Sequence, residues 1–486
     1  KTWELHFQRM YADPSIESIR SIMKDLPNWP PVSESEIKSL IGQLRTGKAP
    51  GADSITTEIL KNNLEWWIPV LVALFTYIDS TGYVPEDWGL AIVVPIFKKG
   101  KRDDPANYRP ISLLNIISKL YAKHLQDKLK EWLDSENLIT EEQAGFREGR
   151  GTIDQCLVLY HLIEKYISNR PISIYAGFID LKAAFDSITR TKLWEKLEAA
   201  SIDPRLLHLL RALHTETSLK VRYNMQGSLS KPIKTEKGVK QGCILAPLLF
   251  NFYINDMAKW LNKSNHHPPK IGDRNIALLL YADDAVILSR TPVGLKRALR
   301  ALLQYCNNNN LSINYEKTKI MAFAKKPKLH SWYLDGHKIE QVNTFKYLGV
   351  VFQANGSRKA HGEHAAALGQ RSASTIIKFF HTKGGHYVPA AIRLFVAKSL
   401  AQLLYGSLLG LSASASCFIP LETVQSKFIR SILQMPQCVP NALLRLETGL
   451  IKVEARICIA SLNIWLKFNR FPQGLAPLIL QDTFSS

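Results

Sequence analysis

Ile276-Ala277-Leu278-Leu279-Leu280-Tyr281-Ala282-Asp283-Asp284-Ala285-Val286-Ile287-Leu288 is the stretch on which the reading of this chain turns. Its two apolar runs, Ile276–Leu280 and Ala285–Leu288, have the length and composition of buried strands. The stretch therefore predicts a hairpin with two adjacent carboxylates at its turn. Acidic groups at the tip of an apolar hairpin repel each other and lose hydration, a cost that a bound cation would offset. Asp-Asp pairs are also common in solvated turns, so the reading depends on whether further carboxylates join this one.

Working outward, Asp180 is the third carboxylate. Residues 172–181 alternate, with Ile174, Ala176, Phe178 and Asp180 on one face and Tyr175, Gly177, Ile179 and Leu181 on the other. Asp180 thus ends a strand on an otherwise apolar face. An acidic strand end and an Asp-Asp tip form a workable nest for two Mg²⁺ ions, since hard cations take oxygen ligands. Two such ions, roughly 3.5–4 Å apart, can activate an attacking hydroxyl and stabilise a leaving pyrophosphate. Upstream, Leu90–Phe97 reads as a strand that runs into Lys98-Lys99-Gly100-Lys101-Arg102 and returns through Asn107–Leu113. That hairpin would carry Lys98, Lys99 and Arg109 as cations for a triphosphate, the arginine with a bidentate grip. In-line phosphoryl transfer asks for positioning and charge neutralisation more than covalent chemistry. Two metals, a triphosphate clamp and a basic surface describe a nucleic-acid polymerase.

The whole chain is consistent with that chemistry. At 486 residues it is too long for one small core and suggests two or three domains or one large multi-lobed enzyme. A hydrophobic share of 46% and a charged share of 21% are those of a globular protein. The formal charge of +20 favours a polyanionic partner, nucleic acid before an anionic membrane. No apolar run approaches the roughly 20 residues needed to span a bilayer, and the N-terminus lacks a signal-peptide layout. Six cysteines without a Cys-x-x-Cys pair point to reduced thiols in a cytosolic or nuclear setting and away from a zinc knuckle. Gly47-Lys48-Ala49-Pro50-Gly51-Ala52-Asp53 lacks the Gly-Lys-Ser/Thr ending of a P-loop, which argues against nucleotide hydrolysis. Ser33-Glu34-Ser35-Glu36 has capping-box spacing ahead of a helix closed by Gly47. Amphipathic helices are predicted at 116–133 and from Thr189 to Leu197, a hairpin at 219–239, and an apolar helix opened by Gly242 and running through Leu261. Helical periodicity over 365–380, 390–406, 421–434 and 451–468 predicts a separate helical lobe. The start at Lys1, without an initiating methionine, reads as a piece of a longer polypeptide.

Taken in order, these blocks resemble the reverse transcriptase of LINE-type (non-LTR) retrotransposons. The matching segments are Gly47–Gly51, Asn107–Leu113, Gln143-Ala144-Gly145-Phe146-Arg147, Phe178–Asp186, Gly238–Cys243, Tyr281–Asp284, Asn314–Lys319 and Phe345–Gly349. The resemblance covers about residues 47–349. It implies an α+β, right-hand polymerase with fingers, an antiparallel-sheet palm and a helical thumb. The corresponding spans are a helical extension at 1–46, fingers at 47–170, palm at 171–355 with a finger-side hairpin near 215–237, and thumb at 356–486. Asp180, Asp283 and Asp284 would hold the metals, with the Leu181 carbonyl as an added ligand. Lys98 or Lys99, together with Arg109, would meet the incoming dNTP, and Gln241-Gly242 would line nucleotide and template. Lys317 matches a lysine that protonates the leaving pyrophosphate, with Lys319 as a rival. Tyr347-Leu348-Gly349 resembles the primer grip. Related RNA-dependent RNA polymerases place an Asp five residues after the first metal Asp, where it recognises the ribose 2′-hydroxyl. Here Phe185 stands in that place, and its ring would exclude ribonucleotides sterically. Asp186 is expected to cap or orient the following helix.

The implied activity is RNA-templated DNA synthesis from a 3′-hydroxyl primer, with two Mg²⁺ ions (Mn²⁺ as a substitute), an RNA template, a DNA primer or target and dNTPs. Two alternatives share these residues: a catalytically inactive or domesticated nucleic-acid-binding remnant, and a group II intron-type maturase. Ala52, Gly151 and Ala246 depart from the family pattern without touching an expected catalytic group. No endonuclease domain is expected within this segment. A nuclear location, with assembly in the cytoplasm, follows from the resemblance.

Overall fold

The computed structural model describes residues 29–167, 172–223, 228–240, 242–380, 387–406 and 417–485. It is α+β and divides into two compact units, each discontinuous in sequence. The first comprises Lys1–Thr140, Leu181–Met257 and Gln304–Ile313; the second comprises Glu141–Asp180, Ala258–Leu303 and Asn314–Ser486.

In the first unit, Leu90–Phe97 lies between two neighbours in a four-stranded sheet. It pairs antiparallel with Tyr108–Leu113 and parallel with Ser218–Val221, which in turn pairs with Ile233–Lys234. Ala91, Val93, Leu114, Leu219, Val221 and Ile233 close its apolar core. The helix Ile116–Ser135 buries Leu120, Tyr121, Leu125, Leu129 and Leu133, the face that the periodicity marks. Its His124 sits between carboxylates from two other helices. The ring lies 2.6 Å from Glu36 Oε1, on Glu34–Gln43, and 3.0 Å from Asp79 Oδ2, on Leu64–Thr81. Glu36 therefore completes only half a capping box. Its N–H donates to Ser33 Oγ at 3.2 Å, but its carboxylate is taken by His124.

In the second unit, six strands lie in the order Trp332–Leu334, His337–Gln341, Lys319–Phe323, Ile174–Ile179, Asp284–Ser289, Leu278–Tyr281. All pairings are antiparallel except that of Lys319–Phe323 with His337–Gln341. The central strand Ile174–Ile179 is buried on both faces, so the alternation read from its sequence separates two apolar faces and not an inside from an outside. Cys156, Leu159 and Ile163 of the helix Thr152–Ile167 share a core with Phe178, Val286 and Met321. Lys359–Phe380, Ile419–Leu433, Asn441–Thr448 and Val453–Arg470 are helices, and all four contribute to a second core built on Phe380, Phe395 and Phe428. Among the described residues no helix is long and apolar enough to cross a membrane.

One expected helix is shorter than its sequence suggests. Gly242 does not open it: the helix begins at Ala246, ends at Tyr253, and resumes as Met257–Asn262. Gly242 has φ +114°, and a side chain there would come within 2.7 Å of the Ser112 carbonyl, so it serves a close backbone approach. The break after Tyr253 frees Asn255, whose amide accepts from Thr140 N–H at 2.8 Å and donates to the Leu138 carbonyl. The helix Glu34–Gln43 likewise stops at Leu44, before Gly47.

Candidate active site

The Leu278–Tyr281/Asp284–Ser289 hairpin turns on two residues. Tyr281 pairs with Asp284, leaving Ala282 and Asp283 as the loop. Ala282 has φ +54°, at the first central position, where glycine is usual. For a residue with a side chain this conformation costs about 1–3 kcal/mol and persists only when its surroundings enforce it. Here they do. Gln143, buried at 1% exposure, accepts through Oε1 from Ala282 N–H at 2.9 Å and from Gly145 N–H at 2.8 Å. Its Nε2 donates to the Ala282 carbonyl at 3.3 Å. Ala144 N–H donates to the Leu280 carbonyl and Leu280 N–H to the Glu142 carbonyl, both at 2.9 Å. Gln155 Nε2 then bridges the Glu142 and Leu280 carbonyls at 2.8 and 2.9 Å. A Cβ on Gly145 would lie 2.3 Å from Ala282 N, so only glycine lets the segment approach this closely.

Asp180 follows the central strand directly. Its carbonyl accepts from Asn314 N–H at 2.8 Å, and its N–H donates to buried Thr318 Oγ1 at 3.4 Å. Asn314 Oδ1 accepts from Lys317 N–H at 3.3 Å, an Asx-type turn that holds the lysine beside Asp180. The Lys317 ammonium reaches Asp180 Oδ2 at 3.4 Å. Lys319, its rival by sequence, is committed elsewhere: its ammonium bonds Glu340 at 2.8 Å and the Glu316 carbonyl at 2.7 Å.

Asp283 is half-buried and Asp284 reaches solvent. The Asp284 carboxyl is nevertheless held up at about 6, first by the protein that displaces water around it and then by the charges of Asp283 and Asp180. Asp283 and Asp180 thus both act on Asp284, although among the described residues no group of three His, Cys, Asp or Glu side chains is gathered closely enough to hold a metal. Their chemistry fits a hard divalent cation: the donors are all oxygen, Asp283 and Asp284 are adjacent like charges, and Lys317 already supplies a cation on the Asp180 side.

Tyr347-Leu348-Gly349 spans the turn of the Thr344–Tyr347/Val350–Gln353 hairpin, in which Tyr347 pairs with Val350. Leu348 and Gly349 have φ +44° and +86°, the two positive values of a tight hairpin loop. Tyr405 Oη donates to the Leu348 carbonyl at 2.6 Å and lies 3.0 Å from Thr152 Oγ1. The Tyr405 ring leaves no room for a side chain at Gly349, whose Cβ would come within 2.7 Å of it. Tyr347 itself is buried, and burial holds its phenol well above the ordinary range.

The remaining expected residues that the structure describes lie in the first unit. Arg109 is exposed opposite Ile96, and Lys98 and Lys99 are exposed beyond the strand end. Phe185 is half-buried and stacks on Phe250 with centroids 4.4 Å apart. Its carbonyl accepts from Val239 N–H at 3.0 Å, so the segment ahead of Gly242 is tied to it. Asp186 is buried at 3% exposure with its backbone against Gly238. Leu181 is buried and bridges to Ile313. Gln241 lies outside the described residues.

Three residues that brace these turns were not singled out by sequence reasoning: Gln143, Asn314 and Tyr405. The first two fall in segments quoted for the resemblance, and an Asn three residues before Lys317 is a readable Asx-turn signal. Tyr405 sits alone in a helical stretch, where no local pattern marks it.

Residues 96–352 match the family described as reverse transcriptase (RNA-dependent DNA polymerase). The chain is 27% identical over 469 residues to a probable RNA-directed DNA polymerase from transposon BS of Drosophila melanogaster, covering 93% of this chain and 50% of that protein. It is 28% identical over 329 residues to the RNA-directed DNA polymerase from mobile element jockey of Drosophila melanogaster, covering 66% and 35%. A retrovirus-related Pol polyprotein from the type-1 retrotransposable element R2 of Popillia japonica is 25% identical over 342 residues, covering 68% and 46%. The chain therefore spans half the length, or less, of these curated relatives. A telomerase structure from Candida albicans, solved with a fragment of telomeric RNA, aligns at a TM-score of 0.42 and 10% identity over 82% of this chain and 69% of that one.

Proposed function

This chain belongs to the reverse transcriptase (RNA-dependent DNA polymerase) family, and from that premise we propose that it copies RNA into DNA by extending a primer 3′-hydroxyl with dNTPs. Membership carries the right-hand polymerase fold class, and the jockey and R2 relatives agree with the LINE-type, non-LTR character read from the sequence. The observation that carries the proposal is the acidic turn itself: Asp283 and Asp284, presented by a clamped hairpin, share their field with Asp180.

In this reading Asp180, Asp283 and Asp284 hold Mg²⁺, or Mn²⁺ in its place, with the Leu181 carbonyl as an added ligand. The ions supply activation of the primer hydroxyl and charge neutralisation at the leaving pyrophosphate. Lys317 holds its proton beside Asp180 and delivers it to the pyrophosphate as general acid. Lys98, Lys99 and Arg109 meet the triphosphate, Phe185 excludes the 2′-hydroxyl, Gln241 and Gly242 line nucleotide and template, and the Tyr347–Gly349 turn grips the primer. The fingers, palm and thumb follow the spans 47–170, 171–355 and 356–486. A nuclear site of action, after assembly in the cytoplasm, belongs to the same proposal and is checked by imaging a tagged chain.

The test is primer extension on poly(rA)/oligo(dT) with Mg²⁺. The parent chain should extend the primer, and Asp283→Asn should bring extension to background while leaving the melting temperature nearly unchanged. No extension by the parent overturns the polymerase reading in favour of a nucleic-acid-binding remnant. Substantial extension by Asp283→Asn overturns the metal assignment.

A further inference from the structure

We propose that Gln143 is a positioning residue: its side-chain amide holds the Asp283-Asp284 turn in the one backbone conformation that presents both carboxylates. The inference rests on reading that turn as the metal-binding edge of the active site.

The turn has a built-in conflict. Ala282 must sit at φ +54°, a region that a residue with a Cβ leaves when unrestrained. The next two residues are acidic and repel each other. Both tendencies open the loop. The hairpin's own ladder ends at the Tyr281–Asp284 pair and makes no bond to Ala282. Gln143 supplies what the ladder cannot: one amide group accepts from Ala282 N–H at 2.9 Å and donates to the Ala282 carbonyl at 3.3 Å. Both hydrogen-bonding groups of a single residue are thus met by one planar partner, which fixes the peptide planes on either side of Ala282 and hence its φ and ψ.

The clamp is itself held rigidly. The second lone pair of Gln143 Oε1 takes Gly145 N–H at 2.8 Å, which fixes the rotamer. The backbone on either side of Gln143 is hydrogen-bonded to Leu280, and Gln155 ties the same two carbonyls together. At 1% exposure the amide is shielded from bulk water. Gly145 keeps the two segments close enough for the reach to work, since a Cβ there would lie 2.3 Å from Ala282 N. No shorter or charged side chain reproduces the pattern. Asn falls one methylene short, and Glu accepts but cannot donate to the Ala282 carbonyl.

If the role is to hold φ positive at Ala282, a residue that adopts positive φ unaided should relieve the need for it. Glycine is that residue. The experiment therefore compares four full-length chains: parent, Gln143→Ala, Ala282→Gly and the double variant. Amide hydrogen exchange over residues 278–286, without metal or nucleic acid, should be at least about tenfold faster in Gln143→Ala. Mn²⁺ affinity, followed by electron paramagnetic resonance, should weaken by about 10–100-fold, as for other groups that orient metal ligands. Primer extension should lose kcat by a comparable factor, with the dNTP KM within about twofold, because alignment and not substrate binding is lost. In the double variant Mn²⁺ affinity and kcat should recover by several-fold over Gln143→Ala.

Unchanged exchange at 278–286 in Gln143→Ala overturns the clamp, and a double variant no better than Gln143→Ala overturns the role at φ. A matching loss of melting temperature without change in Mn²⁺ affinity reduces Gln143 to a structural residue and also overturns the proposal. A parent that fails to extend a primer sinks the polymerase reading but leaves exchange and Mn²⁺ binding to decide the fate of Gln143 on their own.

Discussion

Phe185 joins a packing contact to a proposed role at the sugar. Its stack on Phe250, at 4.4 Å, is a packing contact, and such aromatic pairs contribute about 0.5–1.5 kcal/mol beyond burial. The side chain is half-buried, and in the proposed reading its accessible part meets the sugar. Phe185→Val keeps a branched apolar side chain but removes the ring. Ribonucleotide incorporation should rise relative to deoxyribonucleotide incorporation, measured as the ratio of kcat/KM values, with a small drop in melting temperature. A lower melting temperature with an unchanged ratio would leave the ring as a core residue only. The two lysines of the Asn314–Lys319 segment show a different kind of separation. Sequence spacing left both as proton donors, and only the folded turn, through Asn314, sends Lys317 to Asp180 and Lys319 to Glu340.

At the scale of elements, the helix Ile116–Ser135 and the two helices that supply its carboxylates meet at a titratable point. Burial opposes charge on His124, but its hydrogen bonds to Asp79 and Glu36 outweigh that cost and raise its pKa above the ordinary 6.5. The Glu36 carboxyl is in turn lowered, chiefly by the His124 hydrogen bond. Tyr121 Oη donates to Asp79 Oδ1 at 2.7 Å, and Arg205 donates to the Asp79 carbonyl, so no other titrating carboxylate faces the ring among these contacts. A group whose folded pKa is raised stabilises fully below its unfolded pKa and loses that contribution as pH rises through the folded one. The parent should therefore exceed His124→Gln in melting temperature most clearly below about pH 6.5, the advantage shrinking as pH rises. A pH-independent difference would mean that His124 acts by packing alone.

The same scale shows what could be read in advance. The Asp-Asp hairpin and the strand leading to Asp180 announce themselves as short apolar runs that are buried almost throughout, and the helix at 116–135 because its side-chain period matches its buried face. The split of the 246–262 segment does not, because it depends on Asn255 finding backbone partners more than a hundred residues away in sequence. The clamp on Ala282 escaped for a related reason: a glutamine followed by Ala and Gly has no local signature of a hydrogen bond to residue 282. Local patterns disclose elements and charged groups. They do not disclose which distant backbone a neutral amide will satisfy.

For the whole molecule, the net charge of +20 is the dominant physical fact. A protein that neutralises Z phosphates on single strands loses affinity with a log–log salt slope of about −0.7Z, and about −0.9Z on duplex DNA. Binding to a homopolymeric RNA/DNA duplex should accordingly weaken steeply between low and physiological salt, as followed by fluorescence anisotropy. A flat salt dependence would separate the charge from nucleic-acid binding.

The six-stranded sheet also has a history within each molecule's synthesis. Its central strand, Ile174–Ile179, is flanked by Asp284–Ser289 and Lys319–Phe323. Both neighbours leave the ribosome roughly a hundred residues or more after it, which at 5–20 residues per second is on the order of ten seconds. For that interval a strand that is apolar on both faces and unpaired along both edges is exposed on the nascent chain. The strand that leads into Asp180 is thus also one that waits for both of its partners while the protein is being made.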